Sequence, residues 1–231
     1  MAKEGKSRDK MYEVLKVVCS THELPLAQMW APCRHPGTVA YDANMDNSSD
    51  TFDARSMGQV LHFQRTASYG QDSTDSTTKF LGISTLRNLQ KGRGIVGRAY
   101  LSHKLCFCRD ITQFSPSEYP IFPDACHFGL VGCFTICLQN TCHGEPNYVL
   151  EFFLIRENAC DEDPSTFLCS ILKTMKQHFP SFKLASGEEL NKELMIEVIK
   201  PHMNQELASF QCQSTISLSR SGVLQNGQEM T

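Results

Sequence analysis

Apolar side chains recur at helical spacing along residues 11–19. Leu15 and Cys19 stand one turn apart, with Met11, Tyr12 and Val18 beside them, so the pattern predicts a helix capped by Asp9. Residues 26–30 and 38–41 then read as strands around a turn that holds Pro32 and Gly37. Stretches 42–56 and 68–78 are rich in Asp, Asn, Ser and Thr and read as loops, with a short strand at 59–64 between them. In 79–90, Phe80, Ile83, Leu86 and Leu89 lie three apart, which predicts a second helix. A glycine-rich turn follows, then a short helix at 97–101, a strand at 106–111 and a helical or turn-rich segment at 116–128. Residues 132–141 alternate: Phe134, Ile136 and Leu138 share one face, Cys133, Thr135 and Cys137 the other. With a loop at 143–147 and the apolar run 148–155 they predict a β-hairpin. Residues 164–179 form a helix with Pro164 in its first turn and Phe167, Leu168, Ile171, Leu172 and Met175 on its apolar face. Beyond 187 the helical run is short, and the Gln-, Ser-, Asn- and Met-rich stretch that follows cannot build a core, so 188–231 read as linker or disordered tail. The order helix, strands, helix, strands, hairpin, helix predicts an α+β domain, an antiparallel sheet with packed helices.

Composition narrows the function classes. A 231-residue chain with 41% hydrophobic residues can fill one substantial core. Its net charge of -3 gives no overall pull toward nucleic acid or an anionic membrane. No apolar run approaches the roughly 20 residues that span a bilayer, and the charged start of the chain lacks the apolar centre of a signal peptide. Eleven cysteines without a secretory signal read as reduced thiols serving as small apolar core residues.

Three motifs bear on chemistry. Gly92, Gly94 and Gly97 fit G-x-G-x-x-G, but a dinucleotide site needs a preceding strand and an acid about 20 residues on. The segment before Gly92 reads as helix, and Asp110 comes too early, so the glycines read as a turn that needs positive φ or close packing. Arg87, Lys91, Arg93, Arg98, Lys104 and Arg109 make the same region locally basic; this suits either a small-anion site or a solvated surface. Cys106 and Cys108 lack a second pair at zinc spacing and read as strand thiols. His127, His143 and His178 carry no nucleophile signature, and Glu151, a lone carboxylate in an apolar strand, points outward or bonds a neighbour. Trp30 reads as packing on the sheet. Paired acids, metal spacing and a nucleophile motif are all missing, so the chain reads as no enzyme, with no metal or cofactor.

Several blocks in constant order carry a resemblance: Leu24-Pro-Leu-Ala-Gln-Met-Trp-Ala-Pro-Cys-Arg-His35, Leu89-Gln-Lys-Gly-Arg-Gly-Ile-Val-Gly-Arg-Ala-Tyr100, Cys106-Phe-Cys-Arg-Asp-Ile-Thr112, Tyr148-Val-Leu-Glu-Phe-Phe-Leu154, Ile171-Leu-Lys-Thr-Met-Lys-Gln-His-Phe179 and Leu184-Ala-Ser-Gly187. From about Tyr12 to Gly187 the chain resembles the plant NIN-like proteins, transcription factors of the RWP-RK family. The resemblance implies a GAF-like sensor domain over 9–187, with a flexible start at 1–8 and loop insertions at about 42–57 and 66–78. It implies action in the nucleus on nitrate-responsive or nodulation genes. DNA contact would come through an RWP-RK domain, and full-length members also carry a PB1 interaction domain; neither is recognisable before Thr231, and homo- or hetero-oligomers with family members are the expected partners, with nitrate as a weak or lost ligand. A truncated interaction or dimerisation module is the alternative reading. Family nitrate sensors carry a Trp, a His-His-Leu run before the glycine turn and a Tyr beyond it. Leu89 and Tyr119 match the last two, while Arg87 and Asn88 replace the histidines and no Trp lies between Gly58 and Gly92. The candidate ligand pocket is therefore Arg87, Leu89 and Tyr119, with nitrate binding weak or lost, as in the NIN branch.

Overall fold

A computed structural model describes residues 2–33, 60–71, 75–139, 147–156, 163–187 and 196–200. One seven-stranded sheet, in the order β3-β2-β1-β6-β5-β4-β7, carries helices on both faces. Its strands are β1 (Leu26–Pro32), β2 (Val60–Gly70), β3 (Asn88–Gln90), β4 (Leu105–Cys108), β5 (Leu130–Leu138), β6 (Tyr148–Ile155) and β7 (Ile196–Val198). The helices are α1 (Ala2–His22), α2 (Asp75–Ser84), α3 (Gly94–Ser102), α4 (Phe122–His127) and α5 (Pro164–His178). Every neighbouring pair of strands is antiparallel except β4 and β7, which run parallel.

Two apolar cores follow from the alternation along the strands. On one face α1 and α5 bury Met11, Val14, Leu15, Val18, Leu168, Ile171 and Met175 against Phe134, Ile136, Phe152 and Leu154. Asp163 fixes the start of α5, its carboxylate accepting from the backbone N–H of Ser165 and Thr166 at 3.1 Å each, with Pro164 just inside. On the other face α2, α3 and α4 cover Trp30, Leu61, Leu89, Cys106, Cys108, Cys133, Cys137 and Phe153. This second face is lined by small thiols. The eight described cysteines are all free, and burial raises Cys106, Cys108 and Cys137 to about 12, so they serve as neutral apolar filling.

The hairpin forms as its alternation predicts, β5 pairing β6 from Leu130↔Ile155 to Leu138↔Tyr148. Other expectations change. Helix α1 begins at Ala2, so residues 2–8 are helical and Asp9 lies within the helix and not at its start; the run of Lys, Glu, Arg and Ala is rich in strong helix formers. Of the insertion expected at 66–78, residues 66–70 belong to β2 and 75–78 to α2, while 72–74 lie outside the described residues. The helix expected at 79–90 stops at Ser84. Leu86 stands exposed, while Leu89 turns inward from β3, opposite Leu61. The three-residue spacing fits only the helical period, and pairing of residues 88–90 with β2 overrides it. Strand β7 falls in the stretch read as tail; Ile196 packs on the first core and Ile199 on the second. The expected elements at 38–41, 42–57 and 143–146, and the remainder of 201–231, lie outside the described residues.

Candidate functional site

The expected trio divides. Tyr119 and Leu89 enter the second core, Tyr119 only 1% exposed. Arg87 instead leaves the turn before β3 and pairs with Asp124 of α4, Nη2 to Oδ2 at 3.2 Å, with both side chains about a quarter exposed. A partly exposed pair of this kind contributes little. Arg87→Ala is expected to cost about 1 kcal/mol or less, measured as a shift in the urea midpoint.

The glycine turn brings α3 close to the sheet and to Tyr119. Gly94 has φ +57, and a Cβ there would lie 2.8 Å from the Glu118 carbonyl oxygen. At Gly97 a Cβ would come within 2.1 Å of the Gln90 carbonyl oxygen. The order strand, turn, helix that sequence denied to this motif does exist, as β3, turn and α3. β3 is, however, a three-residue antiparallel edge strand, which is not the parallel frame of a dinucleotide site. The basic residues around the turn do not converge. Arg87 goes to α4, Lys91 lies 4.7 Å from the centre of the Tyr100 ring, and Arg98 lines an open surface groove of about 230 Å³ with Gly92, Leu101, Ser102 and Glu197.

Tyr119 leads to an arrangement that no sequence motif marks. Its hydroxyl donates to Oε1 of Glu151, in the middle of β6. Trp30 Nε1 donates to Oε2 of the same carboxylate at 2.7 Å, and Gln28 Nε2 does so at 2.8 Å. Glu151 and Gln28 are wholly buried, as is Trp30. Register explains the convergence. Gln28 pairs with Glu151 and Glu151 with Thr135, so one row across β1, β6 and β5 is polar between apolar rows, and Trp30 lies two residues along β1 on the same face. The Tyr119 ring, packed on Phe114, closes the cage from above, and the Cys133 sulfur lies 3.9 Å from its hydroxyl.

Burial disfavours the Glu151 anion and three donors favour it. Burial wins, raising the carboxyl from an ordinary 4.5 to about 7. The Tyr119 phenol is pushed well up by burial, with Cys133 and the Glu151 carboxylate adding to it, and so stays a donor. The cage can bind a proton near neutral pH. Among the described residues no group of three or more His, Cys, Asp or Glu could hold a metal. Of the two expectations for Glu151 the bond to a neighbour holds, and Trp30 adds an indole hydrogen bond to its packing on the sheet; the signal for the cage is that positions 149, 151 and 153 share one strand face on which the neighbours Val149 and Phe153 are buried.

The family described as NLP protein GAF domain matches residues 2–183. The chain is 40% identical over 193 residues to Protein NLP6 of Arabidopsis thaliana, covering 83% of this chain and 23% of that protein. It is 40% identical over 195 residues to Protein NLP7 of the same plant (83% and 20%) and 36% identical over 184 residues to Protein NLP3 of Oryza sativa subsp. japonica (79% and 19%). The chain thus spans about a fifth of the length of these curated relatives. Among solved structures, a mutated NreA protein from Staphylococcus aureus, altered in its nitrate binding site, is 13% identical with a TM-score of 0.41, covering 68% of this chain and 91% of that one. The GAF domain region of a Geobacter sulfurreducens PCA protein is 16% identical with a TM-score of 0.43, covering 77% and 97%.

Proposed function

The chain belongs to the NLP protein GAF-domain family, as an amino-terminal region of the NIN-like proteins, and on that footing we propose that it is the sensor-like regulatory module of a transcription factor that controls nitrate-responsive or nodulation genes in the nucleus. It is not an enzyme. DNA contact belongs to a separate RWP-RK domain.

The observation that carries the ligand reading is the commitment of the donors. The Tyr119 hydroxyl, the Trp30 indole N–H and one Gln28 amide N–H are spent on the Glu151 carboxylate, and Arg87 is tied to Asp124. An anion reaching for Tyr119 would have to displace the buried Glu151 carboxyl that already holds the Tyr119 hydroxyl. Nitrate binding is therefore weak or absent, and the module works through its partners or through its own folding equilibrium. Calorimetric titration of the whole chain with nitrate, with chloride as control, is expected to give no saturable heat below millimolar concentration. A Kd tighter than millimolar overturns this reading.

A further inference from the structure

Among the chain's ten prolines, Pro116 alone follows a serine or threonine. Ser115 thereby carries the Ser-Pro dipeptide that proline-directed protein kinases recognise. It lies in a half-buried, hydrogen-bonded turn between the 3-10 helix Ile111–Gln113 and α4, outside regular secondary structure, so a kinase reaches it when this short turn opens locally.

The same hydroxyl is the pivot of that turn. Ser115 Oγ donates to Glu118 Oε2 at 2.9 Å, the Ser115 N–H donates to the same oxygen at 3.2 Å, and the Glu118 N–H donates back to Ser115 Oγ at 3.3 Å. This is a reciprocal capping box. The Ser115 carbonyl then accepts from the backbone N–H of both Glu118 and Tyr119 at 3.0 Å. The box thus sets the position of Tyr119, whose ring packs on Phe114 and whose hydroxyl closes the Glu151 cage. Gly94 of α3 rests on the Glu118 carbonyl, so the turn also seats the glycine-rich helix start.

We infer that Ser115 is a phosphorylation site, and that its modification opens the capping box and withdraws Tyr119 from Glu151. In the transfer, the bond between the γ-phosphorus of a nucleoside triphosphate and its bridging oxygen breaks. A bond from that phosphorus to Ser115 Oγ forms, the nucleoside diphosphate leaves, and the hydroxyl proton passes to the kinase base. The product has lost the O–H that Glu118 accepted. It sets a phosphate of charge about -2 against the Glu118 carboxylate, and like charge with a lost donor disrupts the turn. The inference does not depend on nitrate binding.

The whole folded chain is incubated with a purified proline-directed kinase and magnesium ATP, and the phosphate is located by mass spectrometry. The single tryptophan, Trp30, reads the cage by its fluorescence, and amide exchange reads residues 115–122. Expected are phosphate at Ser115, none in Ser115→Ala, and much less in Pro116→Ala, whose unmodified Trp30 emission matches the parent. Phosphorylation is expected to move Trp30 emission to longer wavelength and to speed exchange over 115–122 by on the order of tenfold, the loss of a cap. Phosphate at Ser115 with unchanged emission and exchange overturns the coupling to Tyr119. Phosphorylation of Ser115 only in the urea-unfolded chain overturns the site, and equal phosphorylation of Pro116→Ala overturns its recognition.

Discussion

Glu151→Ala is expected to destabilise the domain by about 3–5 kcal/mol, the cost of three buried donors left without their acceptor. It leaves the Trp30 indole N–H, a Gln28 amide N–H and the Tyr119 hydroxyl buried without their acceptor, and it removes the tie between β1, β6 and the turn that carries Tyr119. Each buried unpaired donor costs about 1–3 kcal/mol, offset in part because a buried charge is gone. The dependence on pH isolates the carboxyl. Its folded value of about 7 lies above the ordinary 4.5, so the folded protein holds the proton more tightly than the unfolded chain. The stability this brings is full below about pH 4.5 and is lost as pH rises through 7. Between pH 5 and pH 8 that loss is roughly 2–3 kcal/mol. Glu151→Gln keeps a carbonyl acceptor and cannot titrate, so its stability relative to the parent should improve by that amount over the same range. Urea unfolding followed through Trp30 at the two pH values measures it. A difference between parent and Glu151→Gln that is constant with pH would mean that Glu151 does not titrate in this range.

Gly97→Ala is the second large effect. The new Cβ would lie 2.1 Å from the Gln90 carbonyl oxygen and 3.0 Å from the Gly92 nitrogen, both backbone atoms of the β3-to-α3 turn. Neither can swing aside as a side chain would. The Gly92 N–H already donates to the Gly97 carbonyl at 2.8 Å, so relief by shifting α3 would break the turn. A cost of about 3 kcal/mol, at the upper end for overpacking, is expected from urea denaturation. Gly129→Ala is a useful contrast. A Cβ there meets nothing within 4 Å, and its φ of +76 leaves only the backbone cost, of order 1 kcal/mol.

The hairpin, α3 and α5 were legible because their patterns span several periods with one answer. Phe134, Ile136 and Leu138 alternate cleanly, and Pro164 and Phe167 to Met175 mark a helix with its first turn. The segment around Leu86 and Leu89 was not. Both residues fit a helix by spacing, and only the partner strand, remote in sequence, turns Leu89 inward and leaves Leu86 in water. The site divided in the same way. The resemblance named Tyr119 and Leu89, and both lie in the second apolar core, which by itself makes neither a ligand contact. The cage could not, because Gln28, Trp30, Tyr119 and Glu151 are dispersed along the chain and meet only through the β1–β6 register and the turn that Ser115 begins. No local motif encodes a register. The destination of Arg87 was equally hidden, since Asp124 reaches it only once α4 has packed.

Strand β7 has a practical consequence for anyone cutting this region out of a longer protein. The family match ends at 183, yet β4 is completed as an interior strand only by Ile196–Val198, with the Ile199 N–H donating to the Phe107 carbonyl at 2.8 Å. A fragment stopped at the family boundary would leave Leu-Cys-Phe-Cys as an open, apolar, thiol-bearing edge. Such an edge recruits strands from other molecules, so poor solubility of a short fragment would reflect where it was cut and not the behaviour of the domain.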